Sequence, residues 1–167
     1  MNDFNKFKSV VRQYAKAYSE FEEIQGKMKF LPEKGDQKTG VIGEAYIYEY
    51  LSRLGIQGLE FGTHSEKGWD IKSSKEKYQV KTVSDYSNSK KVSTIHEDWD
   101  FLYFVYLNRN FEPVQILKIK NPGNWNKNKI TGLKFPKDKT SIMLNGVSVN
   151  IVDETTNFFK VMNTSSK

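Results

Sequence analysis

The sequence predicts an α/β fold, and three observations carry that expectation. Up to Leu54 apolar residues recur every three or four positions, the spacing of helices. Beyond Gly55 the period falls to two and turn residues interrupt often, the pattern of short strands. Phe101-Leu102-Tyr103-Phe104-Val105-Tyr106-Leu107 is apolar at nearly every position, as in a strand of a mixed sheet covered on both faces, with helices on one side at least.

Residues 3–30 read as a helix, with Phe7, Val10, Val11, Tyr14, Tyr18, Phe21 and Ile24 at helical spacing. Its aromatic character suits a core element or a dimer face better than a base-stacking platform. Leu31-Pro32-Glu33-Lys34-Gly35-Asp36 ends it, and a second helix runs from about Thr39 to Leu54, stopping at Gly55. Short strands are expected at 57–62, 68–72 and 77–83, followed by a polar, irregular stretch over 84–98. Asn108-Arg109-Asn110 turns the apolar strand into another at Pro113–Ile119. Asn145-Gly146, between Ser141–Leu144 and Val147–Ile151, is a strong hairpin signal. A short helix is expected near 153–162. No internal repeat or linker divides the 167 residues, which have the size of one domain with room for a core.

Composition narrows the function. The chain has no cysteine, which excludes disulfides and thiolate metal sites. No apolar stretch approaches the roughly 18–20 residues that cross a bilayer, so a soluble, cytoplasmic protein with no membrane partner is expected. Lys118–Lys139 holds seven lysines against the single Asp138, an excess equal to the whole net charge of +6. Trp125 and Asn121, Asn124, Asn126 and Asn128 stand among them. Such a basic, amide-rich segment suits a phosphate backbone as well as it suits a solvated loop. Only three of the 26 basic residues are arginines, so bidentate guanine contacts are few.

Chemistry concentrates in GWDIKSSKEKYQVKT, residues 68–82. Lys72–Lys77 is polar enough to turn a hairpin, which returns Asp70 beside the strand starting at Tyr78. Gln79 and Lys81 are two apart and leave that strand on one face. Asp70, Gln79 and Lys81 therefore meet. Asp70 and the Val80 carbonyl are hard oxygen donors for a cation such as Mg²⁺, Gln79 adds an amide oxygen, and Lys81 can stabilise charge on a phosphate. Glu44 supplies a further carboxylate from the second helix, on a face shared with Val41, Tyr48 and Leu51; an acid there is costly unless a cation is near. Gly40 and Gly43 allow that helix a close approach, and Glu49 reads as solvated.

Glu44, then Gly68-Trp69-Asp70, then Gln79-Val80-Lys81-Thr82 resembles the PD-(D/E)XK superfamily, the restriction-endonuclease-like nucleases, in a Gln-x-Lys variant. The resemblance covers about 38–119. Trp69 stands where a proline is frequent, and Gln79 stands where Glu is more usual, which removes a charge from the metal site. The resemblance implies a restriction-endonuclease-like core and Mg²⁺-dependent hydrolysis of DNA phosphodiesters, with Mn²⁺ able to substitute. Asp70, Glu44, Gln79 and Val80 would then hold metal and Lys81 would help the nucleophile. A small type II restriction-type enzyme acting on double-stranded DNA as a homodimer is the leading expectation. A Holliday-junction resolvase, a repair nicking nuclease and a catalytically inactive nucleic-acid-binding module are the alternatives.

Asn88, Lys90 and Lys91 follow the site strand directly and are candidate DNA contacts, together with Lys127, Lys129 and Lys134 of the basic segment. His64 is a minor candidate, and His96 reads as a surface residue. Asp98 and Asp100 read as polar residues leading into a strand.

Overall fold

The computed structural model describes residues 3–27, 38–62, 68–123 and 129–164. Among them are three helices, α1 (Asp3–Lys27), α2 (Lys38–Arg53) and α3 (Thr155–Asn163). Eight strands follow in chain order: β1 (Glu60–Phe61), β2 (Ile71–Lys72), β3 (Lys77–Ser84), β4 (Phe101–Leu107), β5 (Pro113–Lys120), β6 (Ser141–Leu144), β7 (Val147–Asn150) and β8 (Val152–Asp153). Six form a mixed sheet in the order β1-β2-β3-β4-β5-β8, and β6 and β7 pair separately. The protein is α/β. Only the β3–β4 pair is parallel; the others are antiparallel.

β4 lies centrally and is buried on both faces, as its unbroken apolar run requires. Tyr103, Val105 and Leu107 pack on one side with Ile42, Tyr46, Ile47 and Tyr50 of α2, Val11 and Ala15 of α1 and Phe158 of α3. Leu102 and Phe104 pack on the other side with Val92, Ile95, Phe135, Ile142, Leu144 and Val149. All three helices thus cover one face, while irregular chain and the β6–β7 hairpin cover the other. Each fully buried residue such as Ile47 or Ile71 contributes about 1.5–3 kcal/mol, so apolar burial seats α2 on the sheet.

A parallel pair needs a crossover, usually a helix. Here the β3–β4 crossover, residues 85–100, contains no helix. Antiparallel bridges Lys91↔Lys134 and Ile95↔Ile130 tie it to the chain after β5 instead. Bonds from Val92 N to Leu133 O (2.9 Å), from Phe135 N to Lys90 O (2.8 Å) and in both directions between Ile95 and Ile130 make this an irregular ribbon.

Several elements differ from the sequence expectation. The strand at 57–62 shrinks to two residues because Gly58 takes φ +68°, a turn conformation. The strand at 68–72 likewise begins only at Ile71, behind Gly68 at φ +106°. The last helix starts at Thr155, since Val152 and Asp153 first pair with Lys118 and Leu117 of β5. Among the described residues no helix is long and apolar enough to cross a membrane.

Candidate active site

Asp70 sits where the chain twists out of the ladder. Its N–H donates to the Tyr78 carbonyl of β3 (2.8 Å), whereas its own carbonyl accepts from Gly62 beyond β1 (2.8 Å). A regular strand residue turns both groups to one neighbour. The twist swings the Asp70 carboxylate over β3, where Oδ2 accepts the Val80 N–H at 2.7 Å. The side chain thereby replaces a strand partner for Val80. Strand geometry turns the Val80 carbonyl to the same flank.

Gln79 and Lys81 are 1% and 7% exposed. Their register opposite Leu102 and Phe104 puts both on the sheet face away from α2. Gln79 Nε2 donates to the Gly68 carbonyl (2.8 Å), and its Oε1 accepts the His96 N–H (3.3 Å). A carbonyl at one end and an N–H at the other fix the amide's orientation. The amide therefore has a structural reason to stand where a carboxylate is expected: it holds the Gly68 turn against β3. Gly68 must be glycine, since a Cβ there would lie 2.9 Å from Asp98 atoms.

α2 brings Glu44 to this place by an unusually close approach. A Cβ on Gly43 would lie 2.0 Å from Thr82 Oγ1, so only glycine lets α2 rest on β3 at that depth. Gly40 is under no such constraint; its Cβ would meet only Glu44 Oε1, at 3.9 Å. Val41 is 56% exposed, and the buried face of α2 is Thr39, Ile42, Gly43, Tyr46, Ile47, Tyr50 and Leu51. Glu44 is thus half-buried at the margin of the apolar face rather than within it. Glu49, read as solvated, is instead half-buried and accepts from Arg53 Nε at 2.7 Å. Arg53 also donates to the Met162 and Thr164 carbonyls (both 3.1 Å), which clamps α2 to the end of α3.

No protein-family model matches the chain, and no curated protein matches it.

The three ionisable groups feel one another. Burial and the Asp70 charge push the Glu44 carboxyl up to about 7, with Lys81 opposing. Burial raises Asp70 as well, against the pull of the Val80 N–H, Lys81 and His96. Burial lowers the Lys81 ammonium, and the charges of Asp70 and Glu44 partly restore it. Two carboxylates and one lysine share a poorly hydrated place, where another cation would relieve the repulsion between the acids. Among the described residues no group of three or more His, Asp or Glu side chains could hold an ion. A cation here would lean on Asp70, Glu44, the Val80 carbonyl and the second lone pair of Gln79 Oε1.

His96 is the residue that the sequence reading missed. It is half-buried, bonds Gln79 through its backbone and lies close enough to Asp70 to lower its pKa. The signal is the pair Val92 and Ile95, apolar residues in a polar stretch, which are both buried and hold the crossover against the sheet. Asp98 and Asp100 serve the strand, as their position suggests. Asp98 pairs with Lys77 Nζ (2.7 Å), and Asp100 Oδ2 accepts the Lys77 N–H (2.7 Å).

The ribbon brings the two predicted groups of DNA contacts side by side. Lys91 and Lys134 face each other across a bridge, and Lys129 adjoins the second bridge; all three are exposed, as is Asn88. Lys90 differs: its Nζ donates to the Ser84 carbonyl (2.7 Å) and lies over the Tyr106 ring (5.3 Å). It braces the start of the crossover. His64, Lys127 and Trp125 lie outside the described residues.

Proposed function

We propose that this chain is a divalent-cation-dependent endonuclease with a restriction-endonuclease-like core, hydrolysing phosphodiester bonds of double-stranded DNA. One observation carries the reading: Glu44, Asp70 and Lys81 converge, poorly hydrated, at a bent hairpin, with the Glu44 carboxyl pushed up to about 7. Burying such charges is costly unless they are paired or hold an ion, and perturbed groups of this kind collect at functional sites. The donors are all oxygens, which fits Mg²⁺, or Mn²⁺ in its place, and disfavours softer metals. Bound there, the ion would polarise a phosphoryl oxygen and acidify a water.

The chain's own residues then have distinct tasks. Asp70 and Glu44 supply negative charge, and the Val80 carbonyl adds a neutral donor. Gln79 holds the Gly68 turn and hence the position of Asp70. Lys81 is aimed at charge developing on the scissile phosphate or the attacking hydroxide. The exposed Lys91, Lys129 and Lys134, with Asn88, give the backbone of a duplex a cationic track on the same sheet face as Gln79 and Lys81. Two copies would cut both strands of a palindromic site.

The test is cleavage of mixed plasmid, genomic and branched DNA with Mg²⁺ or EDTA, beside Lys81→Ala. Discrete Mg²⁺-dependent fragments lost in the variant support a restriction-type enzyme; cleavage confined to junctions or nicks supports a resolvase or repair nuclease. The low count of acids at the site favours one second reading, a catalytically inactive DNA-binding module. Metal-independent binding unchanged by Lys81→Ala, without cleavage of any substrate, would establish that reading.

A further inference from the structure

α1 carries two apolar stripes, and the fold uses one. Phe4, Val11 and Ala15 are buried, and Phe7, Tyr14 and Tyr18 pack beside them against Tyr46, Tyr86 and Phe111. Val10, Phe21 and Ile24 are 54%, 53% and 49% exposed. With the exposed Ala17 they recur at intervals of seven, four and three residues along one side of the helix. Phe7 and Tyr14 continue the series toward the core, so that 7, 10, 14, 17, 21 and 24 alternate steps of three and four. That is the 3.5-residue repeat of a helix pair, and a second helix is what such a seam accepts.

We propose that α1 is the self-association surface of this protein, pairing antiparallel with α1 of a second copy about an axis near Ala17. Charge chooses both the partner and the direction. The solvent flank of the stripe carries Lys6 and Lys16 in its first half and Glu20 and Glu23 in its second, where Glu23 is already paired with Lys27 (2.6 Å), so Glu20 is the acid that faces a partner. Antiparallel pairing lays the basic half of one helix along the acidic half of the other, with Lys16 two positions from Glu20 of the other copy on both sides of the axis. Parallel pairing would superpose like on like. Opposed helix dipoles favour the same direction. In this register Val10 meets Ile24 of the other copy, and the small Ala17 side chains meet at the centre, where the helices come closest. The inference deepens the reading of a two-fold enzyme by naming the contact surface, and its test reads assembly rather than cleavage, so either can fail alone.

The absence of cysteine makes the test clean. Val10→Cys and Ile24→Cys chains are prepared separately and oxidised alone and as a mixture. Antiparallel pairing predicts a disulfide-linked dimer in the mixture at least about tenfold above either chain alone. Sedimentation of the native protein should show a dimer, and Phe21→Glu or Ile24→Glu should raise its dissociation constant at least about tenfold, with the melting temperature unchanged at dilutions where both proteins are monomeric. A native protein that stays monomeric up to about 100 µM overturns the proposal. So does a dimer that either glutamate variant leaves intact, or cross-linking of each cysteine chain alone as efficient as in the mixture.

Discussion

Asp70 Oδ2 accepts the backbone N–H of Val80 at 2.7 Å, so a site carboxylate also completes the hydrogen bonding of the strand that carries Gln79 and Lys81. Structure and chemistry at Asp70 are therefore separable by substitution. Asparagine keeps an oxygen acceptor for Val80 and loses the charge, whereas alanine loses both. Asp70→Asn should be at least as stable as the native protein at pH 8 without divalent cation, because it removes a buried charge facing Glu44. Asp70→Ala should lose about 1–3 kcal/mol, the cost of a buried N–H without a partner. Denaturant unfolding of the two variants checks the difference.

Glu44 gives the metal-free protein a pH dependence of definite sign. Its carboxyl titrates near 4.5 when unfolded and near 7 when folded, so the folded state holds the proton more tightly. This contribution to stability is full below about 4.5 and is lost as pH rises through about 7. The melting temperature should fall over that window, and Glu44→Gln should flatten the fall. Mg²⁺ should restore part of the lost stability above pH 7 in the native protein and not in the variant. Thermal melts from pH 4 to 8, with and without Mg²⁺, read all three effects.

Gln79 is not an impaired glutamate. Replacing Nε2 by a carboxylate oxygen sets two acceptors against each other at the present 2.8 Å separation from the Gly68 carbonyl. Gln79→Glu should therefore cost about 1–3 kcal/mol at neutral pH and should not raise cleavage above the native rate. Unfolding and plasmid cleavage measured on the same preparation test it; a stable, faster variant would refute the structural role given to the amide.

Gly43 sets the depth of α2 and with it the reach of Glu44. A Cβ 2.0 Å from Thr82 Oγ1 and 2.9 Å from its Cγ2 cannot fit without moving the helix or the strand. Gly43→Ala should destabilise by about 1–3 kcal/mol. Thr82→Ala removes both of those atoms, and the Thr82 hydroxyl is buried without a hydrogen-bond partner, so its loss is inexpensive. The double variant should recover most of the stability, a coupling that a double-mutant cycle measures directly.

What the sequence reveals tracks how local the cause is. The run Phe101–Leu107 matches β4 residue for residue because burial on both faces leaves no polar position to blur it. The Asn145-Gly146 hairpin is equally plain, with both residues at positive φ as such a turn requires. The return of Asp70 to the strand that carries Gln79 and Lys81 follows from strand period and one hairpin. Other features depend on distant chain. Nothing near Glu49 announces that Arg53 will tie it to the end of α3, and helical spacing on α1 cannot say which of its two apolar stripes the sheet accepts. The ribbon of crossover and basic segment joins residues about 35–45 positions apart, so Lys91 beside Lys134 cannot be read from local pattern, and neither can His96 beside Gln79, which the irregular crossover returns to β3.

The most direct test of the nuclease reading is cleavage of supercoiled plasmid and branched DNA by native protein and by Asp70→Asn, which keeps the Val80 hydrogen bond. The native protein should cut in Mg²⁺ and not in EDTA. The variant should melt no lower and cut at least about 10³-fold more slowly, the loss expected when charge is removed from the reacting centre. Equal cleavage by the two proteins, or none by the native protein on either DNA, would contradict it.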